Sequence, residues 1–187
     1  MRLSTDAPEQ IRTMPAVAPR IPARRRWRLP GGVPVTIRPI GAGDKALELA
    51  FLKGLSRDSL YQRLLSVRGL LPGELERLTN IDYEREMALI ATLCRDDGEQ
   101  QIGVARYVKD GDGAEFALVI ADMYQRRGVG SRLLAGLVDH ARSVGVRRLW
   151  GIALATNHRI REFARKHGFD LAADPHDATV TRIAMNL

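Results

Sequence analysis

Between Ala114 and Val144 the chain passes from an apolar strand, Ala114 to Ala121, through a polar, glycine-bearing turn into an amphipathic helix, Gly128 to Val144. Val129, Leu133, Leu134, Leu137, Val138 and Ala141 recur at helical spacing and form one apolar stripe. Such a stripe has to be buried, and the strand just before it supplies the sheet to bury it on. This strand–turn–helix unit limits the fold more than any other segment.

The remaining elements agree with a layered α/β domain. Val33 to Ile40 reads as a strand, with β-branched Val35, Thr36 and Ile37, and Gly43-Asp44 opens a helix to about Leu55 that buries Leu47, Ala50, Phe51 and Leu55. Ser56 caps a second helix, Arg57 to Ser66, and Pro72-Gly73-Glu74 starts a short third. Met87 to Leu93 and Ile102 to Lys109 pair across the turn-rich Arg95-Asp96-Asp97-Gly98-Glu99, and Asp110-Gly111-Asp112-Gly113 turns into the strand at Ala114. After the long helix come a strand at Arg148 to Leu154, a helix at Asn157 to His167, and strands at Phe169 to Ala173 and Thr179 to Met185. The expected architecture is a mixed, mostly antiparallel twisted sheet of about seven strands with helices on both faces.

Composition bounds the rest. The 187 residues, 45% of them hydrophobic, suit one domain with a tail. The longest apolar run, Phe116 to Ile120, falls far short of the roughly 20 residues of a membrane span. No secretory leader is evident, and a single cysteine, Cys94, excludes an internal disulfide, so a cytoplasmic location is expected. Cys94 reads as a small buried hydrophobe rather than a nucleophile. His140, His158, His167 and His176 never fall at metal-ligand spacing, and no metal is expected.

The net charge of +7 suggests nucleic acid until it is divided along the chain. Seven arginines against Asp6 and Glu9 place +5 within residues 1–30, so the remainder carries only +2. Residues 1–32, with five prolines and the Arg24-Arg25-Arg26-Trp27-Arg28 cluster, read as a disordered or extended tail, either a solvated extension or an anchor for an acidic partner. Nucleic acid is expected as a partner only through this tail. Trp27 could dock on the domain.

The turn carries the chemistry. Amides from Arg126 to Gly130 have no helical acceptors behind them, the helix dipole adds positive potential, Gly128 and Gly130 admit an anion close to the backbone, Arg126 and Arg127 add charge, and Ser131 adds a hydroxyl. A Rossmann loop would need glycine where Leu133 stands, and a P-loop would need Gly-Lys-Ser/Thr. Both are excluded, while a diphosphate suits the site.

With these residues in place, the chain resembles the GNAT acetyltransferase superfamily, whose mark is a strand followed by Q/R-x-x-G-x-G/A and a helix; Gln125-Arg126-Arg127-Gly128-Val129-Gly130 has that form. The resemblance runs from about Val33 to Leu187 and includes Asn157 and the Lys166-His167-Gly168-Phe169 ending. More narrowly, Leu55-Ser56 with Ser59-Leu60-Tyr61-Gln62-Arg63, the run Ile81 to Leu89, and Ala114-Glu115-Phe116-Ala117 are similar to the GNAT domains of bacterial Pat-type protein-lysine acetyltransferases.

The resemblance implies a GNAT fold splayed at its parallel strand pair, acetyl-CoA as co-substrate, and an amine acceptor. It implies cofactor contacts from the backbone of Leu118, Val119 and Ile120 and from Gln125, Arg126, Arg127, Gly128, Val129, Gly130 and Ser131. Asn157 could touch the cofactor or simply cap its helix. The resemblance makes Glu115 the candidate general base, since an amine of pKa about 10.4 must lose a proton before attack; by itself it reads more readily as a solvated charge on a strand end. The family's thiolate-protonating tyrosine is matched by Ala164, and Tyr124 is read as packing. Tyr61, Arg63, Asp82, Tyr83 and Glu84 fall in the segment that walls the acceptor groove. The acceptor is a protein lysine, a small amine such as a polyamine or amino sugar, or absent in a regulatory module; the chain is a monomer or homodimer.

Overall fold

The computed structural model describes residues 22–64, 73–96 and 98–187, with the backbone alone at 61–64. Its centre is one eight-stranded sheet: β1 (Arg25–Arg28), β2 (Pro34–Pro39), β3 (Glu86–Arg95), β4 (Gly98–Asp110), β5 (Gly113–Ile120), β6 (Arg148–Leu154), β7 (Asp170–Ala173) and β8 (Val180–Asn186). The spatial order is β1-β2-β3-β4-β5-β6-β8-β7. Every neighbouring pair is antiparallel except β5 and β6. Five helices complete it: α1 (Lys45–Lys53), α2 (Arg57–Leu64), α3 (Glu74–Thr79), α4 (Val129–Ser143) and α5 (His158–Lys166).

The sheet separates two cores. On one face Leu133, Leu134, Leu137 and Ala141 of α4 meet Met87, Leu89, Tyr107 and Phe116, with Ala164 and Phe169 alongside. On the other, Phe51, Leu52 and Leu55 pack on Ala88, Ile90, Val104 and Val119. Strand period two therefore assigns β5 residue by residue: Ala114, Phe116 and Leu118 belong to the α4 face, and Glu115, Ala117 and Val119 to the α1 face. Leu137 is wholly buried at the centre of the α4 stripe. Leu137→Ala is expected to lower unfolding free energy by about 3 kcal/mol in a urea titration, the cost of a core cavity; a loss below about 1 kcal/mol would mean α4 is not seated as described.

An ion cluster ties the second core to the sheet. The Arg38 guanidinium holds both Asp44 carboxylate oxygens at 2.7 Å and Glu99 Oε2 at 2.5 Å. Burial alone would raise the Asp44 carboxyl, but the bond from Arg38 and the Gly41 N–H outweigh it and hold the group below its ordinary value. The short turn before α1 is thereby fixed to β2 and to the β3–β4 hairpin.

The structure adds one strand to the expected sheet and corrects one expectation. There are eight strands rather than about seven, because residues 25–28, assigned to the tail, pair with β2 from Arg25↔Ile37 to Arg28↔Pro34. Trp27 packs against the α4 core under the Arg132 guanidinium, 5.3 Å from its carbon to the ring centre, and Leu29 is buried. The run Arg24-Arg25-Arg26, with no period-two alternation, hid this strand, whose register is set by β2. Cys94 is exposed, not buried, because the continuously buried stretch of β3 ends at Leu93. The tail before residue 22, the expected helix end at Ser66, Pro72, Asp97 and the side chains of Tyr61 and Arg63 lie outside the described residues.

Candidate cofactor and acceptor site

Strands β5 and β6 are in parallel register only over Gly113–Glu115 and Arg148–Trp150. Beyond that point β5 keeps its partner β4 as far as Gly103↔Ile120, and β6 keeps β8 as far as Leu154↔Val180. Gly151 lies at the fork: an added Cβ would stand 2.8 Å from Phe116 O. Only glycine allows so close an approach there. Past it the facing backbone edges of Leu118 to Ile120 and Ile152 to Leu154 are left without each other, a wedge that an amide-bearing chain can enter.

At the open end of the wedge β5 runs through a one-turn 3-10 helix, Asp122–Tyr124, into the turn at residues 125–128. Arg126 has φ 61° and Gly128 φ 82°, so two of four turn residues are left-handed. Helical bonding begins only at Arg132 N–H, which donates to Gly128 O at 3.2 Å. The amides before it face the helix entrance, and no side chain caps Gly128. A Cβ on Gly128 would meet nothing within 4 Å. Arg126 and Arg127 are exposed beside this entrance. Open amides, a helix dipole and two guanidinium groups are chemistry that suits a diphosphate. Gly130 has a different use, since its missing Cβ would crowd Phe163 at 3.4 Å and Ile120 and Leu118 at 3.6 Å. Val129 is buried under it.

Three side chains expected to meet the cofactor are occupied within the protein. Gln125 Nε2 donates to Ile120 O at 3.1 Å, and its Oε1 accepts from Arg159 at 3.0 Å, so this side chain braces the turn against β5 and α5. Asn157 Oδ1 accepts Ile160 N–H at 3.1 Å, the capping role that the sequence held open. Ser131 Oγ lies 2.9 Å from His167 Nε2, while His167 Nδ1 lies 2.8 Å from Phe163 O. A carbonyl only accepts, so Nδ1 carries a proton, and Nε2 is the atom paired with the Ser131 hydroxyl. The backbone of these residues stays available for an anion.

Glu115 stands exposed on the α1 face, in register with Val108 of β4 and Trp150 of β6. Val108 is 44% and Ile152 41% exposed, so the carboxylate sits on an open sheet face edged by apolar side chains. Ala164 is buried against Phe169 and its carbonyl accepts the Phe169 and His167 amides. Tyr124 accepts from Arg95 at 2.9 Å and lies under Arg127, a packing role as expected. Asp82 caps Glu84, Arg85 and Glu86 N–H, and Tyr83 bonds Ile40 O, so both shape the entry to β3. The sequence offered no sign of Asp122, whose carboxylate accepts from Ser56 and Ser59, nor of His167 behind Ser131. Both contacts join segments far apart in the chain. Among the described residues no group of three or more His, Cys, Asp or Glu could hold a metal ion.

Comparison with known proteins places this geometry. The model of the acetyltransferase (GNAT) family matches residues 58–169. The chain is 34% identical over 164 residues to Acetyltransferase PA5475 of Pseudomonas aeruginosa, covering 84% of this chain and 87% of that protein. It is 33% identical over 137 residues to Acetyltransferase Pat of Mycolicibacterium smegmatis, covering 71% of this chain and 40% of Pat. Among solved structures, the GNAT domain of S. lividans PAT superposes with a TM-score of 0.80 at 26% identity, over 88% of this chain and 97% of that one. The paia N-acetyltransferase from Thermoplasma acidophilum, solved in complex with coenzyme A, shares the fold at a TM-score of 0.60 and 15% identity, over 82% of this chain and 99% of that one.

Proposed function

The chain belongs to the GNAT acetyltransferase family and is an acetyl-CoA-dependent N-acetyltransferase, and from that premise we propose that its acceptor is the side-chain amine of a protein lysine. The observation that carries this reading is the setting of Glu115, exposed on a sheet face that is open and edged by Val108 and Ile152 rather than sunk in an enclosed pocket. A lysine presented on a macromolecular surface fits such a site; the similarity to the GNAT domain of S. lividans PAT and the Pat-like segments at Leu55 to Arg63 and Ile81 to Leu89 support it.

The two ends of the reaction lie on opposite faces of the sheet. The turn at residues 125–130 belongs to the α4 face, where its amides hold the diphosphate, and Glu115 belongs to the α1 face. The β5–β6 wedge joins them, so pantetheine running along the backbone of Leu118, Val119 and Ile120 delivers the thioester toward Glu115. Glu115 takes a proton from the ammonium, directly or through water. The amine nitrogen then attacks the thioester carbonyl, the C–S bond breaks, and the thiolate of CoA leaves. The nitrogen gives up its second proton to water as the amide forms, and solvent reprotonates the thiolate, because Ala164 offers no acid.

The deciding measurement is thiol release from acetyl-CoA with lysine-bearing proteins, set against a panel of polyamines and amino sugars. Faster release with proteins, with the label recovered on lysine, is the expected result. Release confined to the small amines would transfer the assignment to a metabolite enzyme, and binding of acetyl-CoA without release to any acceptor would favour a regulatory module.

A further inference from the structure

Asp122 lies between the end of the pantetheine strand and the diphosphate turn, and its side chain reaches across to α2. Its Oδ2 accepts Ser56 N–H at 3.0 Å, and its Oδ1 accepts the Ser56 and Ser59 hydroxyls at 3.0 and 2.8 Å. Ser56 is itself the cap of α2: its Oγ accepts Ser59 N–H at 3.2 Å and its carbonyl accepts Leu60 N–H at 2.9 Å. One carboxylate therefore holds the cap residue of α2 and the Ser59 hydroxyl of its first turn, and its charge faces the positive end of that helix. Burial alone would raise the Asp122 carboxyl, but the Ser56 N–H and the Ser59 and Ser56 hydroxyls outweigh it and hold it below its ordinary value.

The other side of the same residue is the cofactor turn. Asp122 opens the 3-10 turn, its carbonyl accepts Gln125 N–H at 3.3 Å, and Gln125 in turn is tied to Ile120 O and Arg159. Whatever orders the amides of residues 125–130 orders the backbone that carries Asp122. Helix α2 also packs on β5, and it belongs to the segment that the family resemblance places along the acceptor groove.

We propose that Asp122 is a positioning residue that makes the placement of α2, and with it the acceptor side of the site, depend on occupancy of the cofactor turn. The inference rests on the cofactor reading given above. Binding of coenzyme A fixes the turn, the turn fixes the carboxylate, and the carboxylate fixes the first turn of α2, so that local opening of α2 becomes rarer once the nucleotide is bound.

Hydrogen exchange of the full chain with and without coenzyme A tests this, alongside calorimetric titration of coenzyme A. In the unaltered protein, coenzyme A should slow exchange across the amides of residues 57–64 about tenfold, the scale of losing or gaining bonds to a charged group. In Asp122→Ala that slowing should fall below about twofold while coenzyme A affinity stays within about threefold. The Ser56→Ala/Ser59→Ala double variant should reproduce the effect from the helix side, and Asp122→Asn, which keeps one acceptor oxygen, should fall between. Kinetically, Asp122→Ala should raise the acceptor KM about tenfold with the acetyl-CoA KM little changed, a split that general loss of packing does not produce. Equal slowing in Asp122→Ala and the unaltered protein, or no slowing in the unaltered protein although coenzyme A binds, overturns the inference and leaves the cofactor reading intact. Failure of the unaltered protein to bind coenzyme A overturns that reading, and the inference with it.

Discussion

Gly128→Asp is expected to weaken acetyl-CoA binding about a hundredfold while leaving the fold standing. Aspartate is one of the few side chains that tolerate a φ of 82°, at a cost of about 1 kcal/mol, and a Cβ there meets nothing within 4 Å. A carboxylate at the entrance to α4 recovers roughly 0.3–1 kcal/mol from the helix dipole, so thermal stability should change little. The complex is different, because that carboxylate then stands where the diphosphate lies. Two like charges about 5 Å apart at an effective dielectric near 20 repel by about 3 kcal/mol, which corresponds to about two decades in Kd. Gly128→Asn supplies the shape without the charge and should bind within about fivefold of the unaltered protein. Calorimetric titration with acetyl-CoA separates the cases. Equal losses in the Asp and Asn variants would trace the effect to backbone strain, and an unaltered affinity in Gly128→Asp would move the phosphates away from this turn.

The second large effect belongs to the chemical step. Glu115→Gln removes a base while keeping size and polarity, and an exposed residue gives up no packing when changed in this way. Turnover should fall by about a hundredfold to ten-thousandfold, the usual worth of a positioned general base, with the KM for acetyl-CoA within a fewfold. The deficit should shrink as pH rises toward the amine pKa of about 10.4, because a growing share of acceptor arrives already deprotonated. A variant that turns over at the original rate at neutral pH removes Glu115 from the mechanism; one whose deficit is the same at every pH assigns it a role other than proton removal.

These two residues also show what is local in a sequence and what is not. The open turn at Gly128 was legible because it is local: strand, glycines, arginines and helix are contiguous, and the open amides follow from helix geometry alone. The α4 stripe and most strands were legible for the same reason, since periodicity is a property of neighbouring residues. Glu115 was legible only through resemblance; that it faces away from α4 follows from strand period once the buried partners of Ala114 and Phe116 are known.

What stayed hidden is non-local. Residues 25–28 become a strand because β2 offers an edge and because Trp27 and Leu29 find the α4 core, neither of which can be seen in an arginine-rich segment by itself. Gln125, Ser131 and Asn157 carry the right chemistry for a cofactor, yet Arg159, His167 and Ile160 N–H take up their side chains. Asp122 looks like any turn residue until α2, 63 to 66 positions earlier, is laid against it. By itself, then, the order of residues determined the elements, the open glycine-bearing turn and the family, because those depend on spacing along the chain. The tertiary structure alone decided which polar groups remain free for a ligand, since a hydrogen bond goes to whichever partner folding brings within about 3 Å, however distant in sequence.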